Sequence, residues 1–209
     1  KPKVFQEIVT NTIINYYSDV KNPFVIDKCR AWPAHIDMLK KYVTNNPKLI
    51  CTVRHPLDIL ASFITLFHKD RTYNFIDRAM TEKKIPITDD NRCHYMMNPG
   101  GIVWESMNAL ATAFRQKETQ YIHFIQYDDL VSNPTEVMNH LHAFLELDPF
   151  VYNFNNVVAK DREKDAEVYG LPTMHEVRKS INKISKPYQE VLSTDVINKY
   201  INYDFWNQQ

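Results

Sequence analysis

Apolar positions in this chain fall into two kinds of spacing that alternate along it. Residues 4–17 carry Phe5, Ile8, Val9, Ile13 and Tyr16 at helical intervals, which predicts an amphipathic helix that Asn22-Pro23 breaks. Phe24-Val25-Ile26 is a short apolar burst, read as a buried strand ending at Asp27-Lys28-Cys29-Arg30, and residues 35–42 read as a helix that stops at Asn45-Asn46-Pro47. Leu49-Ile50-Cys51-Thr52-Val53 is a second β-rich run, followed at once by Arg54-His55-Pro56 and a helical pattern of Leu57, Leu60, Ala61 and Ile64. Pro56 suits the first helical position, where its missing N–H leaves no bond unmade. A third strand is expected over residues 121–126. After it, Asn133-Pro134-Thr135-Glu136 reads as a capping box with proline at the first helical position, opening a helix whose Val137, Leu141, Phe144 and Leu145 face the core. Short apolar strands alternating with amphipathic helices predict an α/β fold with a mostly parallel central sheet flanked by helices on both faces.

Two stretches depart from the alternation. Residues 70–99 mix charges with Pro86, Asn91 and Met96-Met97, which predicts helical pieces in a long excursion before a clear helix over 104–115. Residues 160–187 are polar, with Gly170, Pro172 and Pro187, and predict a surface loop over a site.

Composition narrows the class. A length of 209 residues suits one domain, and 44% hydrophobic with 12% aromatic residues supports a packed core. Lys plus Arg and Asp plus Glu number 25 each, so there is no overall field for wrapping nucleic acid or lying on an acidic membrane, and an anion site must be built locally. No run approaches ~18 apolar residues, and no signal pattern opens the chain. Lys1 opens it without a methionine, so a leader or anchor ahead of it stays open. Cys29, Cys51 and Cys93 lie far apart, without the spacing of a zinc site or a disulfide framework, and read as reduced thiols of a cytoplasmic protein. Nothing in the sequence calls for a metal.

The chemistry concentrates at Thr52-Val53-Arg54-His55-Pro56-Leu57-Asp58-Ile59-Leu60-Ala61-Ser62. Arg54 stands where a buried strand ends and a helix begins, the edge at which α/β sheets bind ligands. Its guanidinium stays charged and holds phosphate bidentately. Ser62 lies six residues beyond Pro56, roughly 9 Å along a helix, so a long arginine and this hydroxyl are able to converge on one phosphate. Each also has a structural explanation: an arginine after a strand is often a cap or an ion-pair partner, here of Asp58, and a helical serine is often only tolerated. A first-turn position favours Asp58 through the helix dipole.

This string, a strand followed by Arg-x-Pro-x-Asp-x-x-x-Ser, resembles the 3′-phosphate signature of sulfotransferases that use 3′-phosphoadenosine 5′-phosphosulfate (PAPS). Gln126-Tyr127-Asp128-Asp129-Leu130-Val131-Ser132-Asn133-Pro134 is similar to the family's later strand, acidic turn and helix, and residues 24–33 are similar to the strand before its acceptor site; together the matches span 24–147. Residues 170–178 resemble a late loop that closes over the nucleotide in bacterial relatives. The resemblance implies a P-loop-type, three-layer α/β domain over 1–209, with PAPS as donor and its bisphosphate (PAP) as product. By that pattern Arg54 and Ser62 hold the 3′-phosphate, Arg178 comes from the late loop, and Lys28 with Arg30 stands near the transferring group or the acceptor.

Two departures follow from the residues themselves. The family's loop of the form Gly-x-Pro-Lys/Arg-Ser-Gly-Thr, which cups the 5′-phosphosulfate with backbone N–H groups, is missing. The chain's glycines are Gly100, Gly101 and Gly170. Either the loop precedes Lys1 or donor activation has been lost, and matches that begin where the family is already past its loop favour the first. In place of the Lys-x-His of many members the chain reads Lys28-Cys29-Arg30. An arginine accepts no proton at neutral pH, so the general base is unassigned. His35, His55, His94, His123 and His175 stay open, and Trp32 and Trp104 either line an acceptor pocket or are buried aromatics. The acceptor, whether small molecule, sugar or peptide, is unidentified. The competing classes are a nucleotide-binding module without transfer and a P-loop kinase, for which no Walker loop or magnesium-holding carboxylates are visible.

Overall fold

Where a helix begins in this chain is decided by its first turn, and where it packs by its apolar stripe. The computed structural model describes residues 2–159, 164–182 and 186–207. In chain order they form α1 (Pro2–Tyr16), α2 (Ile36–Tyr42), β1 (Leu49–Val53), α3 (Pro56–Asp70), α4 (Phe75–Glu82) and α5 (Asp89–Met97). Then come α6 (Ile102–Arg115), β2 (Ile122–Gln126), α7 (Tyr127–Ser132), α8 (Pro134–Leu145), α9 (Asp165–Val168) and α10 (Thr194–Tyr200). The result is a mixed α/β chain with a small parallel sheet in which β1 pairs with β2. A parallel pair needs a long crossover, and α3 to α6 supply it.

The chain packs as two units, residues 1–51 with 105–123 and residues 52–104 with 124–209. Each unit holds one half of both strands. In the first, the Thr10 hydroxyl donates to the Tyr42 carbonyl at 2.6 Å, and the rings of Phe5 and Tyr42 meet edge to face at 5.8 Å, docking α1 on α2. Lys40 of α2 binds the Glu118 carboxylate at 2.8 Å with its ammonium 4.9 Å from the Tyr121 ring centre, which ties α2 to the turn before β2. Ile36, Ala109, Leu110, Ala113 and Ile122 are buried there.

One predicted strand does not form. Phe24, Val25 and Ile26 belong to no strand, and Phe24 and Ile26 are 62% and 77% exposed. Three apolar residues satisfy a strand and a loop equally well, and a strand exists only through a neighbour that takes up its backbone groups.

In the second unit α3 is built as its pattern predicts. Pro56 occupies its start, the His55 ring accepts from the Leu57 N–H, and Pro56, Leu57, Leu60, Ala61, Ile64 and Phe67 are buried. Fully burying Leu57, Leu60 and Ile64 contributes roughly 1.5–3 kcal/mol each. The predicted helical pieces are α4 and α5, capped by Asn74 and Thr88. Asn74 accepts from the N–H groups of Ile76 and Asp77 at 3.0 Å each. Between α5 and α6 the backbone folds so closely that a Cβ on Gly101 would collide with the Tyr95 and Met96 carbonyls.

The capping box expected at Asn133 takes another form. Pro134 does start α8, but the Asn133 side chain makes no cap bond and pairs instead with the Glu136 carboxylate. Of the four residues expected to face the core, Leu141 alone is buried.

Candidate functional site

Because β1 and β2 run parallel, their C-terminal ends lie at one edge of the sheet, and the residue after each strand arrives there. The two residues are Arg54, just beyond β1, and Tyr127, which opens α7. The guanidinium carbon of Arg54 sits 4.3 Å from the centre of the Tyr127 ring, a cation–π contact. Asp58 stands in the first turn of α3. Ser62 is exposed, on the side of α3 shared with Asp58 four residues before it.

His55 fixes the junction from the other side. Its Nδ1 accepts from the Leu57 N–H at 3.2 Å, which puts the imidazole proton on Nε2, and Nε2 lies 3.0 Å from the Ile201 carbonyl that receives it. The ring stacks on Tyr188, with centres 5.9 Å apart and planes at 15°.

The stretch expected to cover a site is described over 164–182 and 186–187, and residues 160–163 and 183–185 lie outside the described residues. Its first part is clasped to the C-terminal end of α3 and the start of α4. Thr72 donates to the Gly170 carbonyl, the Phe75 N–H to the Tyr169 carbonyl at 2.9 Å, and Arg78 to the Val168 carbonyl at 3.2 Å. The Thr173 hydroxyl donates to Asp70 at 3.1 Å, and Lys69 reaches Glu176 at 3.7 Å. Gly170 has φ +68°, and a Cβ there would meet the Tyr73 carbonyl at 2.8 Å.

From this clasp the chain returns toward the α3 N-terminus. Val157 donates its N–H to the Lys179 carbonyl at 2.7 Å, Ile181 donates to Phe154 at 3.1 Å, and Tyr188 reaches His55. Arg178, exposed, lies on that return path. The clasped end of α3 is ~20 Å from its Pro56 end by helix rise.

Among the open histidines, His175 is held by a buried carboxylate. Asp165 accepts its backbone N–H at 2.6 Å through Oδ2 and its Nδ1–H at 2.7 Å through Oδ1. No spacing rule in the sequence pointed to Asp165. His94 bonds the Tyr200 hydroxyl at 2.9 Å through Nδ1, and His35 is exposed.

Lys28 and Arg30 are exposed residues of the first unit, and the residue before them is strongly held. Asp27 accepts from the Tyr17 hydroxyl and from the Trp32 indole N–H, the latter at 2.7 Å. These bonds, Tyr17 first, hold its carboxyl below the ordinary carboxylate range, while the hydrogen bond to Asp27 pushes Tyr17 up to about 12. Trp32 is thus a donor to Asp27, and Trp104 is half-buried. Burial pushes the Cys51 and Cys93 thiols up to about 11 and about 12, which removes both as nucleophiles near neutrality. Among the described residues no His, Cys, Asp and Glu cluster is able to hold a metal, and no helix is long and apolar enough to cross a membrane.

Known proteins give two likenesses. The sequence matches the model of the sulfotransferase family over residues 2–151. The fold is similar to that of a sulfotransferase domain from the curacin biosynthetic pathway, with a TM-score of 0.54 at 17% identity, covering 91% of this chain and 67% of that one. No curated protein matches the sequence. The family match takes in both strands, the Arg54 junction and the Tyr127 turn, and on that span the chain belongs to the sulfotransferase family.

Proposed function

We propose that the chain binds PAPS and transfers its sulfuryl group to a hydroxyl or amine of an acceptor, releasing the 3′,5′-bisphosphate. The observation that carries this reading is the Arg54 guanidinium, placed at the common end of two parallel strands and in cation–π contact with Tyr127. In this reading Arg54 and Ser62 hold the donor's 3′-phosphate, one by a charged bidentate fork and the other by a hydroxyl. Lys28 and Arg30 supply positive charge for the transferring group or an anionic acceptor, and Arg178 contributes to the nucleotide from the returning segment.

The acceptor atom attacks sulfur, the bond from sulfur to the bridging oxygen breaks, and its electron pair leaves with the bisphosphate while the acceptor's proton passes to a base. Such transfer depends mainly on in-line positioning and on donors for the spreading negative charge. No glycine precedes Gly100, so a glycine-containing grip on the 5′-phosphosulfate would come from outside these 209 residues. The reading assigns all of 1–209 to one three-layer domain of P-loop type.

Calorimetry with the 3′,5′-bisphosphate tests it. Removing a hydrogen-bonding charge costs about 1.5–3 kcal/mol, so Arg54→Ala is expected to bind about 10- to 150-fold more weakly, and an unchanged affinity would sink the assignment. Labelled PAPS offered with a panel of alcohol, phenol, sugar and amine acceptors tests the transfer. Tight bisphosphate binding without transfer, in a protein that carries the glycine-containing loop, would make this a binding module.

A further inference from the structure

Arg54 and His55 are adjacent, yet separate parts of the chain hold them. Arg54 rests on Tyr127 at the end of β2, whereas His55 is bound to Tyr188 and to the Ile201 carbonyl at the end of α10. A cap alone would need only the Leu57 N–H on Nδ1, a task that asparagine or serine performs. The other ring nitrogen and the ring face are both committed to the segment between Tyr188 and Ile201. In that segment Leu192, Val196 and Tyr200 are buried, Tyr200 against His94 of α5, so His55 joins the arginine's backbone to a packed segment.

We infer that His55 is a positioning residue that couples docking of residues 188–201 to the anion grip of Arg54. This rests on the donor-site reading above. The docked segment fixes the imidazole, the imidazole fixes the first turn of α3, and the neighbouring Arg54 is presented at a set angle over Tyr127. Coupling between sites is reciprocal, so an anion on Arg54 strengthens docking of 188–201.

Two isosteres divide the contacts of His55. Asparagine at this position keeps an acceptor where Nδ1 stands, and so the cap, but does not reach Ile201. Glutamine keeps a donor where Nε2 stands. Calorimetry with the 3′,5′-bisphosphate and hydrogen exchange of residues 188–201 would be run on the parent chain, His55→Asn, His55→Gln and Arg54→Ala. The expected result is that the bisphosphate slows exchange in 188–201 in the parent and in His55→Gln. In His55→Asn this protection is lost and affinity falls at least about fivefold, with thermal stability near the parent's because the cap is kept. Parent-like affinity and protection in His55→Asn, alongside weakened binding in Arg54→Ala, overturn the coupling alone. Parent-like binding in Arg54→Ala overturns the donor-site reading and the coupling with it.

Discussion

Arg92 makes two parallel bonds to the Asp77 carboxylate, Nε to Oδ1 and Nη2 to Oδ2 at 2.8 Å each, and a third from Nη1 to Asp89 at 2.8 Å. Asn74 adds a donor to Asp77 at 2.9 Å. Only 15% of the arginine side chain and 6% of the aspartate remain exposed, so neither charge has water to fall back on. The hydrogen bonds to Asp77 raise the guanidinium further. Breaking a buried pair by removing one partner strands the other, at about 3–5 kcal/mol. Urea unfolding of Asp77→Ala is expected to show a loss of that size, whereas Glu118→Ala, whose Lys40 partner is a third exposed, is expected to cost clearly less. Equal losses would contradict this ranking by burial. At this scale the sequence disclosed the residues of a motif but not their partners. Local spacing points to Arg54 and Ser62 as candidates, whereas Tyr127, Asp165 and Ile201 approach their partners only through the fold.

Elements were legible in proportion to the length of their periodicity. α3 and α6 carry several turns of consistent apolar spacing, and both form where predicted. The Phe24 burst is three residues long and gave no basis for choosing between strand and loop; the Asn133 box failed because its side chain found Glu136 before the backbone. Contacts between elements also create titrations that no local pattern announces. His94 of α5 meets Tyr200 of α10, with Nδ1 2.9 Å from the hydroxyl, which burial pushes up to about 12. Burial first, and then the charge of Lys199, hold His94 below its ordinary value, against an opposite pull from Asp90 and Asp195. In the window beneath ~6.5 the unfolded chain therefore binds more protons at His94 than the folded one. The stabilisation is complete above that value and is lost as pH falls toward the folded pKa. The melting temperature of the parent is expected to fall between about pH 7 and pH 5 more steeply than that of His94→Gln, in which the group that titrates is gone. Parallel slopes in the two proteins would show that His94 is not responsible.

Among the described residues, regular structure is dense up to Leu145 and sparse beyond it, and side-chain clasps hold much of residues 146–182. His142 binds the Asp148 carbonyl and the Tyr152 hydroxyl at 2.6 Å each, and Asp165 takes both donors of His175 at 2.6 and 2.7 Å. Composition and periodicity predict a polar surface loop over 160–187, and the anchoring of its described parts depends on partners far away in sequence. Held this way, the region is expected to open locally at less cost than the cores around α3, because few buried apolar groups resist its release. Asp165→Ala removes the two bonds to His175, each worth up to ~3 kcal/mol, and leaves the α3 core untouched. Hydrogen exchange at the His175 amide and proteolytic cutting within 165–176 are expected to accelerate at least tenfold, since every ~1.4 kcal/mol of opening energy is a factor of ten, while the midpoint of global unfolding moves little. Unchanged exchange at His175 would mean that Gly170, Thr173 and the buried Leu171 hold the segment without the Asp165 clasp.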